Sequence, residues 1–173
     1  MDERVILVDE NDKEIGSEEK IEAHKTGKLH RAFSIFIFNS KGEMLLQQRA
    51  LHKYHSGGLW ANACCSHPRL GETLEEAVHR RLKEEMGFDC ELEEIFSFIY
   101  KAKVGTLTEH ELDHVFIGRY DRDVHFNPDE VGGCKWVTIE SLRKDVQTHP
   151  ELYTEWFKIA LEKTLTIYGK TSF

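Results

Sequence analysis

Residues 66–88 read SHPRLGETLEEAVHRRLKEEMGF, and the fold turns on what this stretch carries. Thr73 followed three residues on by Glu76 is a capping box, in which side chain and backbone satisfy each other at a helix start. Leu74, Ala77, Val78, Leu82 and Met86 recur at helical spacing, and Gly87 sits where a left-handed C-terminal cap belongs. The pattern predicts a helix over 74–86. Arg81 and Glu85 are four apart and meet on one face. Glu85 also lies three beyond Leu82 and seven beyond Val78, at the edge of the buried stripe. A carboxylate there must be solvated, paired or metal-bound, because an isolated buried charge is costly. On spacing alone, a salt bridge flanking the core explains it as well as a metal does.

Working outward, ERVILVDEND (3–12) reads as a strand running into a turn. SEEKIEAH (17–24) reads as a short helix with Ser17 as N-cap. HRAFSIFIFN (30–39), the turn SKGE and MLLQQRA (44–50) read as a hairpin rich in β-formers. Further strands are expected in IFSFIYKAKV (95–104), HELDHVFIGRY (110–120) and CKWVTI (134–139), and helices at about 138–147 and 150–167. DRDVHFNPDEVGG (121–133) reads as a solvated turn. No repeat, low-complexity tract or linker interrupts the chain, so one domain is expected over 1–173. Strands and helices that do not alternate regularly predict an α+β fold, a mixed sheet packed between helices.

The 173 residues suffice for a genuine core, and their net charge of -8 argues against a general nucleic-acid partner. An anionic small substrate is compatible with that charge if metals and local cations reverse the field in the site. The acidic start MDERVILVDE gives no signal-peptide expectation, and no uncharged apolar run approaches the roughly 18 residues of a membrane span. Four cysteines in a chain this long do not suggest a disulfide framework. A reducing cytoplasm is the expected location.

Extended segments project alternate residues to one side. Cys65 and His67 in CCSHP therefore share a face, as do Glu109 and Glu111 in EHELDH, while His24 and His30 bracket a loop in AHKTGKLH. Three histidines and two carboxylates make a nitrogen–oxygen site for a divalent ion, with one octahedral position left open. Cys64, Cys90 and Cys134 read as small core residues, and adjacent cysteines bridge each other only with strain. Trp60 and Trp136 read as core. Arg49 and Lys53, taken singly, read as solvated charges. Core packing is a strong competing reading of Trp156, which lies on an amphipathic helix with Leu152, Ile159 and Ala160. His52, His55, His79, His110, His114, His125 and His149 receive no role.

The stretch from Ser66 resembles the Nudix box, G-x5-E-x7-R-E-U-x-E-E-x-G-U with U apolar. Glu72, Arg80, Leu82, Glu84, Glu85, Gly87 and Phe88 match. Ser66 replaces the opening glycine and Arg81 replaces a glutamate that in Nudix hydrolases helps hold the Mg²⁺ that activates water. LHRAFSIFIFN, LLQQRA, ANACCSHP, EHELDH and WFKI together resemble the type 1 isopentenyl-diphosphate isomerases, a family of Nudix-like fold, from about residue 3 to 163; these carry arginine at the position of Arg81. The resemblance implies that His24, His30, His67, Glu109 and Glu111 hold a tightly bound divalent metal, for which the ligand set admits Zn²⁺, Mn²⁺ or Mg²⁺. It implies that Cys65 and Glu111 are catalytic and that Glu85 contacts the Mg²⁺ accompanying the diphosphate. Lys20, Arg49, Lys53 and Arg81 match diphosphate-binding cations. Tyr100 and Trp156 match aromatic residues lining the hydrocarbon pocket, Tyr100 counting with the catalytic set. A monomer acting on a small prenyl diphosphate is expected. The chain departs from the family where Glu155 replaces a proline before Trp156 and where Ser56–Gly58 replaces a Pro-Gly, which predicts changed loop stiffness near the pocket.

The implied reaction adds a proton to the terminal methylene of a five-carbon alkene and removes one from the second carbon. It calls for an acid and a base on opposite sides of the double bond. The sequence leaves open which of Cys65 and Glu111 donates. A π face such as that of Trp156 stabilises a desolvated cation by about 2 kcal/mol. Two other readings compete: a Nudix diphosphohydrolase, against which Arg81 argues, and a metal or redox-sensing module using Cys64 and Cys65.

Overall fold

The computed structural model describes residues 3–171. Strands β1 (Arg4–Val8) and β2 (Glu14–Glu19) form a hairpin that feeds helix α1 (Lys20–Thr26). Strands β3 (His30–Phe38), β4 (Met44–Arg49), β5 (Trp60–Ala61) and β6 (Cys64–Ser66) precede helix α2 (Leu74–Met86). Strands β7 (Leu92–Val104), β8 (Leu107–Arg119) and β9 (Val131–Val137) follow, then α3 (Ile139–Thr148), a 3₁₀ turn at Pro150–Leu152 and α4 (Glu155–Tyr168). None of these helices is long and apolar enough to cross a membrane.

Helix α2 has the predicted bounds, with both halves of the Thr73–Glu76 capping box formed. Gly87 takes φ 74°, and a Cβ there would lie 2.1 Å from the His125 carbonyl oxygen, so no other residue fits without moving the backbone. Ser17 does not cap α1. It pairs with Ile6 inside β2, and Glu19 caps instead, its carboxylate accepting from the amides of Ile21 (3.0 Å) and Glu22 (2.9 Å). The expected helix 150–167 is broken. Thr154 N–H donates to the Trp60 carbonyl at 3.0 Å, which ties the chain to β5 and restarts the helix at Glu155. Leu152 and Ile159 are consequently exposed, and Trp156, Phe157, Ala160, Leu161 and Leu165 form the buried face of α4.

The expected β3–β4 hairpin pairs only at its base, Phe38 with Met44. Beyond that point β3 runs parallel to β8, from His30↔Glu111 to Phe38↔Arg119, while β4 turns to β9 and β5. The remaining pairings are antiparallel, so the sheet is mixed. Period-two alternation along β3 sends Phe33, Ile35 and Ile37 to a core under α2, and Phe36 and Phe38 to a second core with α4 and Leu142 of α3. The sheet therefore lies between helices, as the α+β expectation required.

The segment 121–133 is not a free solvated turn. Asn127 N–H donates to the Glu85 carbonyl at 2.8 Å, Glu130 pairs with Lys53, and Val131 begins β9. Of the residues expected in the core, Cys64 is fully buried, whereas Trp60, Trp136, Cys90 and Cys134 are half-buried at its margin.

Candidate active site

β3 is the axis of the site. β8 pairs with one edge and β6 with the other, so His30 and Ser34 on β3 stand between Glu111 and Asp113 on β8 and Cys65 on β6. α1 closes this end of the sheet with His24.

His24, His30, His67 and Glu111 bring one ligand atom each to within 4.8 Å of all the others. Glu111 Oε1 lies 3.9, 3.8 and 3.6 Å from Nε2 of His24, His30 and His67. Two ligands each about 2.1 Å from one ion lie roughly 3 to 4.2 Å apart, so these separations match shared coordination. The imidazoles are fixed from behind: Nδ1 of His24 bonds the Lys20 carbonyl at 2.7 Å, and Nδ1 of His30 the Lys28 carbonyl at 2.9 Å. A carbonyl can only accept, which puts the proton on Nδ1 and the free lone pair on Nε2. All three Nε2 atoms are buried without a hydrogen-bond partner. Burial, then mutual repulsion with His67, holds His30 well below the ordinary imidazole range; burial, then Lys20, does the same to His67. Converging imidazoles whose Nε2 atoms have no partner, beside a carboxylate, fit a divalent cation. Glu111 itself is pushed up to about 8, first by burial and then by Glu109.

Glu109 stands apart from that cluster. His55 Nε2 lies 2.9 Å from its Oε1, and the Tyr100 hydroxyl donates to its Oε2 at 3.4 Å.

Beside the histidines, a small pocket of about 30 Å³ is walled by Cys65, Glu111, Asp113, Tyr54, His55 and Trp156. It has room for about one water molecule. Cys65 Sγ sits 3.2 Å from Asn62 Oδ1 and 3.6 Å from Ser34 Oγ, and burial, then Asp113, raises its thiol far above the usual range. Tyr100 is buried against both glutamates, which, after burial itself, push its hydroxyl up as well. Trp156 is 4% exposed, with the Arg49 guanidinium 5.4 Å from its ring centroid.

The expected cations divide between two places. Arg49 is not solvated; it is buried and donates to the His55 carbonyl. Lys20 and Arg81 line a cleft of about 610 Å³ that reaches the histidines at Ser66 and His67. The other three cations have acidic partners: Lys20 pairs with Glu3 (2.6 Å), Lys53 with Glu130, and Arg81 with Glu85 (2.5 Å), Glu84 (2.7 Å) and Glu130 (3.5 Å). Burial works against the Arg81 charge, and Glu85, Cys64, Glu84 and Glu130 together more than restore it. Glu85, 4% exposed, also accepts from Gln47 at 3.2 Å, so the misplaced carboxylate is a paired one.

Sequence reasoning missed Asn62, Ser34, Asp113 and His55. Asp113 had a signal, since the alternation that links Glu109 to Glu111 continues to it. Asn62 and His55 lie on irregular segments where no period applies. All four cysteines are free, and the Ser56–Gly58 departure is a tight turn in which a Cβ on Gly57 would lie 2.5 Å from the Leu51 carbonyl oxygen.

The NUDIX domain model matches residues 28–157. Isopentenyl-diphosphate Delta-isomerase 2 of Photorhabdus laumondii is 57% identical over 91% of this chain and 90% of its own length. The chain belongs to the isopentenyl-diphosphate Delta-isomerases. A second member of that family, from Aromatoleum aromaticum, is 51% identical over 96% of this chain and 88% of its own length. Among solved structures, the DR0079 protein of Deinococcus radiodurans shares the isomerase chain's fold, with TM-score 0.71 at 23% identity over 85% of this chain and 90% of that one.

Proposed function

We propose that this chain interconverts isopentenyl diphosphate and dimethylallyl diphosphate by protonation and deprotonation. The observation that carries this reading is the convergence of Cys65 and Glu111, from strands on either edge of β3, on one small pocket beside the histidine cluster. Burial keeps Cys65 as a thiol, suited to protonate the terminal methylene, while Glu111 accepts the proton from the second carbon; the reverse reaction exchanges the roles. Tyr100 hydrogen-bonds Glu109 beside Glu111, and the Trp156 face shields the cationic carbon. Lys20, Arg49, Lys53 and Arg81 hold the diphosphate, supplying binding energy remote from the reacting carbons. His24, His30, His67 and Glu111, with Glu109 beside them, would hold a divalent ion (Zn²⁺, Mn²⁺ or Mg²⁺), and Glu85 would face the Mg²⁺ of the diphosphate. When bound, these ions supply positive charge that keeps Glu111 ionised and neutralises the substrate. The same reading takes 1–173 as one domain, acting as a cytoplasmic monomer.

The test is incubation with isopentenyl diphosphate and Mg²⁺ in deuterated water. Deuterium-labelled dimethylallyl diphosphate is the expected product. Unlabelled, unchanged substrate, or release of phosphate instead, would overturn the proposal.

A further inference from the structure

Asn62 lies between β5 and β6 and is 1% exposed. Its Nδ2 donates to the carbonyls of Ile35 (3.0 Å) and Cys64 (2.9 Å). Both amide protons are thereby committed to groups that can only accept, so the orientation of the amide is fixed and Oδ1 is the atom turned to Cys65 and Trp156. That one oxygen accepts from Cys65 Sγ at 3.2 Å and from Trp156 Nε1 at 3.2 Å, which fills its two lone pairs. The acid from β6 and the aromatic wall from α4 thus hang on a single atom, itself anchored to β3 through Ile35.

We propose that Asn62 is a positioning residue for the reaction: its amide oxygen locks the Cys65 thiol and the Trp156 indole into one relative geometry. This rests on the isomerase reading above. A cysteine side chain has three staggered choices at χ1, and an acceptor on one side of the sulfur selects among them. The same acceptor sets the tilt of the indole. A misplaced donor or ring costs rate in the chemical step, because near-attack geometry tolerates little error. It should not cost substrate affinity, since none of the four diphosphate cations touches Asn62.

A purely structural role would reside in the two Nδ2 bonds; the positioning role resides in Oδ1. Asn62→Ala removes both, and Trp156→Phe removes only the indole bond. With isopentenyl diphosphate and Mg²⁺, Asn62→Ala should lower kcat by about 10- to 100-fold with KM changed less than about threefold. Trp156→Phe should lower kcat several-fold, and the double variant should be no slower than Asn62→Ala alone, because coupled residues are not additive. A folded Asn62→Ala with kcat within about twofold of the parent, or fully multiplicative losses, would overturn the proposal. Because Asn62→Ala strands two backbone carbonyls and can fail to fold, a second readout spares them. In ¹⁵N-labelled protein, the Trp156 indole N–H resonance, assigned by its loss in Trp156→Phe, should move downfield in Cys65→Ala, where the oxygen is no longer shared. An unmoved or upfield-shifted resonance refutes the shared bond. This signal does not depend on turnover, so an inactive parent would sink the isomerase reading while the indole resonance judged Asn62 separately.

Discussion

Removing a divalent ion from this protein should lower its unfolding midpoint by several degrees, and the structure sets the scale. Nε2 of His24, His30 and His67 are buried without partners, and each such atom costs about 1–3 kcal/mol until something binds it. Coordination relieves all three at once. An ion at 100 times its dissociation constant stabilises the fold by about 2.7 kcal/mol. In a chain of this length each kcal/mol moves the midpoint by about 2–4 °C, so the difference between chelated and loaded protein should be about 5–11 °C. Thermal unfolding in a chelator, then with Zn²⁺, Mn²⁺ or Mg²⁺ restored in turn, measures it, and metal analysis of the dialysed protein should return one tightly held ion. His24→Gln should abolish most of the shift, because the Nδ1 bond to Lys20 aims Nε2 at the cluster and glutamine has no such second anchor. A midpoint indifferent to chelator, or His24→Gln protein that binds and responds like the parent, would refute the reasoning without reference to activity.

Three further outcomes follow from the same geometry. Cys65→Ala should abolish turnover with the fold intact, whereas Cys64→Ala should keep most of it; equal losses would mean the wrong thiol has been assigned. Glu130→Gln frees Lys53 and leaves Arg81 one competitor fewer, so calorimetry should show inorganic diphosphate binding more tightly, and weaker binding would make Glu130 a ligand for the substrate's cation instead. Metal-free protein should lose stability as pH rises from about 6.5 to 8. The folded state holds a proton on Glu111 up to about 8 that the unfolded chain releases near the ordinary carboxylate range, so the native state binds the extra proton and deprotonation favours unfolding, by at most about 1.4 kcal/mol per pH unit. His30 and His67, held low, act in the opposite sense, and only below about 6.5, where unfolded imidazoles take up protons that the folded ones refuse. Bound metal should flatten the alkaline fall, and a metal-free midpoint that rises over the same interval would contradict the sign.

How much of this was legible depends on range. Helix α2 could be read to the residue because its cap, stripe and terminal glycine are all local. Cys65, His67, Glu109 and Glu111 could be placed on common faces because strand alternation is local too. The meeting of His30 with Glu111 could not be derived that way, since it is a parallel register between strands far apart in sequence; only resemblance supplied it. Ser17 looked like an N-cap because its residue type is favoured there, but strand pairing claimed it and an acid took over the cap. The β3–β4 turn was correctly placed and its consequence was not, because a turn says nothing about how far the flanking strands stay together. Asn62, the residue with the most to say about Cys65, gave no periodic signal at all.

The substitution of Arg81 within the Nudix box shows how one helix can serve a different chemistry. A hydrolase of this fold needs carboxylates on α2 to gather Mg²⁺ and present an activated water. Here the guanidinium of Arg81 neutralises that surface, engaging Glu84, Glu85 and Glu130 at once. The strongest convergence of metal-binding atoms lies instead at the strand ends, on α1, β3 and β8 and on His67 just beyond β6, next to a cavity with room for about one water. That relocation suits the reaction. A carbocation survives only where water is excluded, so a device for concentrating water beside the diphosphate would work against it. Restoring the carboxylate with Arg81→Glu should therefore weaken diphosphate binding and leave α2 with three adjoining acids, of which Glu85 is buried and Glu84 exposed. It should not create a hydrolase, because Arg81 does not line the pocket where Cys65 and Glu111 meet. Phosphate release by that variant would show that the helix alone, and not the strand-end site, decides the chemistry.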